Sequence, residues 1–88
     1  MKKIDLVYVV HFQDLTGKPD EQYVTDARTA GELIDELDGR YPGFRALMLH
    51  NGSFRPQNEM VLYRKGIRAH GVFHLDDTVE DGDYITFL

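Results

Sequence analysis

Thr29-Ala30-Gly31-Glu32-Leu33-Ile34-Asp35-Glu36-Leu37, followed by Arg40-Tyr41-Pro42-Gly43, carries the start, body and end of a helix in one stretch. Thr29 and Glu32 match a capping box: the hydroxyl accepts from the backbone N–H three residues on, and the carboxylate reaches back to a free N–H at the helix start. Leu33, Ile34, Leu37 and Tyr41 recur at helical spacing and form one apolar stripe, with Asp35, Glu36 and Arg40 on other faces. Pro42 and Gly43 then stop the helix. A helix with a single apolar stripe needs a second layer to cover it.

The flanking sequence supplies that layer as strands. Ile4, Leu6, Tyr8, Val10 and Phe12 alternate with Lys3, Asp5, Val7, Val9 and His11. Side chains two apart on a strand share a face, so the first set predicts a buried face and a strand reaching Phe12. Val7 and Val9 make the middle of the other face apolar too, which places this strand in the interior of its sheet. Thr16-Gly17-Lys18-Pro19-Asp20 reads as a turn, and residues 21–25 as a second, antiparallel strand. Beyond the helix, residues 44–49 are a short apolar segment, and Asn51-Gly52 is a turn signal ahead of Phe54-Arg55-Pro56. Met60-Val61-Leu62-Tyr63 reads as another strand, and Gly66 and Gly71 are expected to break the stretch after it. A turn at Glu80-Asp81-Gly82-Asp83 leads to a last strand, Tyr84-Ile85-Thr86-Phe87-Leu88. This order predicts the α+β class: one domain over residues 1–88, a mixed sheet with one main helix across one face.

Composition narrows the functions open to such a domain. A chain of 88 residues buries only about 60–65% of the surface its unfolded form exposes, which leaves little room for a deep active site. The absence of Cys excludes a disulfide framework, a thiolate zinc site and a cysteine nucleophile, and suits a cytoplasmic location. No apolar run is long enough to span a bilayer, and Met1-Lys2-Lys3-Ile4-Asp5 opens a strand rather than a signal peptide. A net charge of −5 argues against nucleic acid as a partner. Glu32, Asp35, Glu36 and Asp38 form one acidic group, and Asp76, Asp77, Glu80, Asp81 and Asp83 another. Arg40, Arg45, Arg55, Arg64, Lys65 and Arg68 lie between them, with Glu59 the only acid in that stretch. The pattern reads as two solvated acidic faces and a mildly basic one. A docking surface of complementary charge is the alternative reading.

The helix stretch quoted above resembles that of the MoaD/ThiS sulfur-carrier proteins, in which a threonine cap, a leucine-rich helix and a Tyr-Pro end succeed one another. Leu75-Asp76-Asp77-Thr78-Val79-Glu80-Asp81-Gly82-Asp83-Tyr84-Ile85 resembles the same family's late segment, with its acid-Asp-Gly-Asp turn into the final strand. The resemblance covers most of the chain and implies the ubiquitin-like β-grasp fold. Two departures accompany it. Leu62-Tyr63-Arg64-Lys65-Gly66 stands where the family commonly has a Val-Asn-Gly stretch, and the sequence as given stops at Leu88, where carriers continue through a flexible tail to Gly-Gly. In those carriers the terminal carboxylate attacks the α-phosphate of ATP in a partner enzyme, and sulfur then replaces AMP to leave a thiocarboxylate. Glycine lets such a tail lie close to the nucleotide, and about six extended residues supply a reach of ~20 Å. Leu88, in the C-terminal tail position, offers neither. The expectation for the chain as written is therefore a protein of this mould without the tail chemistry. A sulfur carrier of the molybdopterin or thiamine type, its tail lying outside the given sequence, is the alternative.

No other constellation points to catalysis. His70 and His74 read as surface or edge histidines rather than a metal pair with Asp76, and His11 and His50 as structural. Asp76, Asp77, Asp81 and Asp83 lack the ligand spacing of a calcium loop and read as a solvated acidic turn. Gly66 and Gly71 are too sparse for a phosphate-binding loop, and Ser53, the only serine, has no motif around it. The expectation is no enzyme, no cofactor and no metal. Alternation instead turns Val7 and Val9 of the first strand, and Tyr84 and Thr86 of the last, away from the helix. First and last strands are neighbours in a β-grasp sheet, so these residues are expected to form one exposed apolar patch. An ordinary surface with scattered apolar residues is the alternative. The resemblance implies a partner-binding patch, because MoaD/ThiS-like proteins dock through this open face. The expected function is docking of that open face to a protein. The resemblance implies a MoaD/ThiS-type activating or sulfur-accepting enzyme as the partner, with a homodimer through the same face as a further possibility and no membrane partner.

Overall fold

A strand that buries every second side chain and a helix that buries one stripe pack face to face, and this chain builds both in turn. The computed structural model describes residues 1–64, the backbone of 67–72, and 74–88. In chain order it contains β1 (Lys2–Tyr8), α1 (His11–Thr16), β2 (Asp20–Thr25), α2 (Ala30–Arg40), α3 (Phe44–Met48), β3 (Leu49–His50), β4 (Ser53–Phe54), β5 (Met60–Arg64), β6 (Ile67–Val72) and β7 (Tyr84–Phe87). One sheet has the order β2-β1-β7-β5-β6. β1 runs parallel to β7, with Leu6 opposite Ile85 and Tyr8 opposite Phe87, and antiparallel to β2. β5 is antiparallel to both β7 and β6. The mixed α+β architecture and the adjacency of first and last strands match the expectation.

Leu33, Ile34 and Leu37 of α2 share a core with Ile4, Leu6, Tyr8, Met60, Leu62, Ile85 and Phe87. The Thr29 hydroxyl accepts from the Glu32 N–H at 3.2 Å, as the capping box requires. The Glu32 carboxylate closes the box one residue early, accepting from the Arg28 N–H at 3.1 Å. The next donors at the helix start are satisfied from far along the chain: Ala30 N–H donates to the Asp77 carbonyl and Gly31 N–H to that of Leu75, each at 2.9 Å. Gly31 permits this approach, because a Cβ there would stand 3.3 Å from the Leu75 carbonyl oxygen. The segment before β7 is thereby tied to the N-terminus of α2.

Three local expectations are corrected. β1 ends at Tyr8, two residues before Val10, and Val10 is 62% exposed rather than buried. Its φ of 52° lies where a β-branched residue rarely sits, and the chain there turns out of the sheet into α1. Phe12 is buried as expected, but from a helix, against Phe44 and Phe87 at ring-centroid distances of 5.3 and 5.8 Å. Packing against those two rings, far away in sequence, overrides the alternation. Residues 44–48 of the apolar segment form α3, whose first turn is anchored by the Asp38 carboxylate accepting from Gly43 and Arg45 N–H. Gly71 lies inside β6 rather than breaking it, while Gly66 falls outside the described residues. The Asn51-Gly52 turn joins β3 to β4 with φ of 52° and 78°, the left-handed pair such a hairpin demands.

Candidate functional site: the open face of the sheet

Register builds the face opposite α2. Paired residues run Gln22, Asp5, Tyr84, Tyr63 across β2, β1, β7 and β5, and Asp20, Val7, Thr86, Val61 in the neighbouring row. Side chains directly opposite one another share a face. Their sequence neighbours Leu6, Ile85 and Leu62 are buried in the core, so these two rows point the other way. Tyr84 is 43% exposed and Tyr63 37%, their ring centroids 6.0 Å apart and their planes nearly perpendicular at 86°. This is the favourable edge-to-face arrangement of two aromatic rings. Val7, Thr86 and Val61 are half-buried beside them.

The structure thus brings Val7, Tyr84 and Thr86 together. Val9 lies just beyond β1, half-buried, its N–H donating to the Phe87 carbonyl at 3.1 Å. The four are not equally open: Tyr84 stands clear, whereas short side chains on interior strands, such as Val7 between Asp20 and Thr86, are partly covered from both sides. Leu88 is exposed but its backbone is held: its N–H donates to the Glu59 carbonyl at 2.9 Å, and its carbonyl accepts from the Glu59 N–H at 3.1 Å. That exchange extends the β5–β7 pairing by one residue. Tyr63 and Val61 were not foreseen. The signal was present in the burial of Met60 and Leu62, which turns their neighbours outward once β5 is placed beside β7.

The acidic segment before β7 is not a uniformly solvated turn. Asp83 is completely buried. Its carboxylate takes a two-pronged contact from the Arg64 guanidinium, at 2.9 and 3.1 Å, and accepts from the Glu80 N–H at 2.8 Å. Arg64 also reaches the Thr78 carbonyl and the Glu80 carboxylate. Asp81 accepts from the Lys3 N–H at 2.7 Å and Asp77 from the His74 N–H at 2.7 Å. These acids cap backbone donors, and among the described residues no group of three His, Cys, Asp or Glu is placed to hold a metal. The side chain of His70, and Lys65 and Gly66 of the Leu62–Gly66 departure, lie outside the described residues.

A second polar cluster sits at the core rim on the helix side. One oxygen of the Glu21 carboxylate accepts from the hydroxyls of both Tyr8 and Tyr41, each at 2.6 Å, and Lys18 stands 3.6 Å from the other. Burial works to raise the carboxyl's pKa, but the two tyrosine hydrogen bonds and the charges of Lys18 and Arg40 outweigh it and hold Glu21 below the ordinary carboxylate range. Burial, reinforced by the same carboxylate, pushes the Tyr8 hydroxyl far above its usual value. The Glu21 carboxylate and the two tyrosine hydroxyls thus satisfy one another inside the molecule.

No protein-family model matches the chain, and no curated protein matches it in sequence. Solved structures do. The putative molybdopterin converting factor subunit 1 from Pyrococcus furiosus superposes with a TM-score of 0.73 at 19% identity, covering 99% of this chain and 95% of that one. Small archaeal modifier protein 1 from Methanosarcina acetivorans gives 0.74 at 14% identity, covering 100% and 92%. A chain of the Amycolatopsis orientalis BexX/CysO complex gives 0.73 at 21%, covering 97% and 92%. Among the described residues no helix is long and apolar enough to cross a membrane. The topology and these superpositions agree: the chain has the ubiquitin-like β-grasp fold shared by these modifier and converting-factor proteins.

Proposed function

We propose that this protein is a non-catalytic β-grasp module, one domain over residues 1–88, that works in the cytoplasm by docking its open sheet face to a partner protein. The observation that carries the reading is the pair of exposed, mutually packed rings of Tyr63 and Tyr84 beside Val7, Thr86 and Val61 on the side away from α2. Aromatic residues concentrate in the parts of protein surfaces that bind other proteins. The names of the structural neighbours fit: a modifier, a converting-factor subunit and a chain from a two-protein complex. An activating or sulfur-accepting enzyme of the MoaD/ThiS type is the partner class this reading favours. A carrier with a C-terminal thiocarboxylate is the second reading, supported by the likeness to a molybdopterin converting-factor subunit.

The test uses Thr86→Arg, which places a long charged side chain in the middle of the face and leaves the core untouched. Binding to a purified MoaD-type activating enzyme is measured by calorimetry, with thermal melting to show that the variant is folded. Binding is expected to weaken at least about tenfold, since a long side chain standing in the middle of the face would keep the two surfaces from closing. A folded variant that binds like the parent overturns the docking face. A second arm appends a flexible tail ending in Gly-Gly after Leu88 and adds ATP and a sulfur donor. Exchange of one oxygen for sulfur in the intact mass supports the carrier reading. Binding without exchange supports the docking module. Sedimentation of the protein alone reads out self-association through the same face.

A further inference from the structure

We propose that the open face contains a seat for an arginine side chain of the partner protein, in the shallow notch between β1 and β2 where Asp5, Asp20, Gln22 and Tyr84 meet. This rests on the reading that the face docks a protein, and it names the chemistry of the contact. Register places Asp5 between Gln22 and Tyr84, and Asp20 on the adjacent row beside Val7. The two carboxylates are therefore diagonal neighbours on one face, a spacing of roughly 7–8 Å between such positions. Neither forms an ion pair or a side-chain hydrogen bond among the described residues; Asp14, Glu59 and Asp76 share that property, and what distinguishes Asp5 and Asp20 is their place together on the open face beside Tyr84. Lys3, two residues before Asp5 on the same face, pairs with neither.

Two like charges fixed on a rigid sheet favour an incoming cation, and Tyr84 decides which cation. Its exposed ring forms one wall of the notch and attracts a positive group by its π face. A planar guanidinium can stack on that wall while its divergent N–H groups donate to both carboxylates and to the Gln22 amide oxygen. A lysine ammonium lacks that plane, and a bare metal ion would leave the aromatic wall unused. Val7, Thr86 and Tyr63 continue the surface on one side, so a partner docked on this face covers the contact and limits solvent screening. The net charge of −5 steers basic surfaces toward the protein from a distance.

The probe is a short blocked peptide, Leu-Arg-Leu-Gly, with a control in which citrulline, the uncharged isostere, replaces arginine. Isotope-labelled protein is titrated into the millimolar range and its amide resonances are tracked. Saturable shifts at Asp5, Val7, Gln22 and Tyr84 are expected, with affinity at least about tenfold weaker for the citrulline peptide and for the Asp5→Asn/Asp20→Asn variant. Absent shifts, shifts elsewhere, or equal binding of the citrulline peptide overturn the seat. The same double variant is measured against the activating enzyme beside Thr86→Arg. Weakened binding of both supports the seat. If Thr86→Arg abolishes binding and the double variant does not, the docking face stands and the arginine seat falls. If neither changes binding, both fall.

Discussion

Asp83 shows how much one buried carboxylate can organise. It is closed off from water, yet its oxygens are occupied by the Arg64 fork and the Glu80 N–H, so its charge is compensated on every side. The Arg64–Glu80 contact looks similar at 2.9 Å but lies at the surface, the glutamate side chain half open to solvent. The two should differ several-fold in energetic weight. Removing one partner of a buried pair strands the other and costs about 3–5 kcal/mol, and Arg64, part-exposed and still able to reach Glu80, places Asp83→Ala at the low end, about 3 kcal/mol. An exposed pair is worth at most about 1 kcal/mol, so Glu80→Ala should barely move the transition. Urea denaturation of the two variants checks this, and equal losses would mean that Asp83 is not the anchor. The role of Asp83 was not legible in the sequence. The acid-Asp-Gly-Asp turn looks like solvated surface until Arg64, on another strand, is brought beside it by β5–β7 pairing.

At the scale of elements, legibility depended on how local the determining forces are. α2 was readable because its cap, stripe and stop all lie within its own stretch, and the Asn51-Gly52 turn because two left-handed residues specify it alone. α1 was not, because Phe12 satisfies both the alternation of a strand and the spacing of a helix with Leu15; only Phe44 and Phe87 decide between them. The choice stores strain at Val10, whose φ of 52° is forced by the exit from β1. On the open face, Val7, Tyr84 and Thr86 came from alternation plus the adjacency of first and last strands, while Tyr63 and Val61 needed the place of β5 in the sheet. The stripe of α2 gives the sharpest test of the helix–sheet contact. Leu37 is fully buried, so Leu37→Ala should cost about 2–5 kcal/mol through lost burial and the cavity left behind. An unchanged denaturation midpoint would place the stripe on the wrong face.

Across the whole molecule, the tyrosines of the helix side set an alkaline limit on stability. Burial is the main reason that the Tyr8 hydroxyl titrates far above its ordinary 10.0, with the Glu21 carboxylate adding to it. Burial, with Glu36 nearby, pushes Tyr23 up to about 12. Both hydroxyls are neutral in the folded chain at a pH where the unfolded chain releases their protons. Stability from these groups is therefore fully present below pH 10.0, the unfolded value, and is lost as the pH climbs beyond it, because the unfolded state then binds fewer protons than the folded one. For each group the loss has a ceiling of about 1.4 kcal/mol per pH unit in that window, and solvent screening keeps it below that ceiling, most of all at Tyr23. Even so it weighs on a domain whose total is on the order of 5–15 kcal/mol. The loss attributable to Tyr23 levels off near pH 12, where the folded chain also ionises, whereas that of Tyr8 continues. Denaturant midpoints measured from pH 8 upward should be flat to about pH 10 and then fall, and Tyr23→Phe should make the fall shallower, because only one buried hydroxyl then drives it. A parent protein whose midpoint stays level through pH 11 would show that Tyr8 and Tyr23 ionise as easily in the folded chain as outside it, and that burial does not hold their hydroxyls neutral.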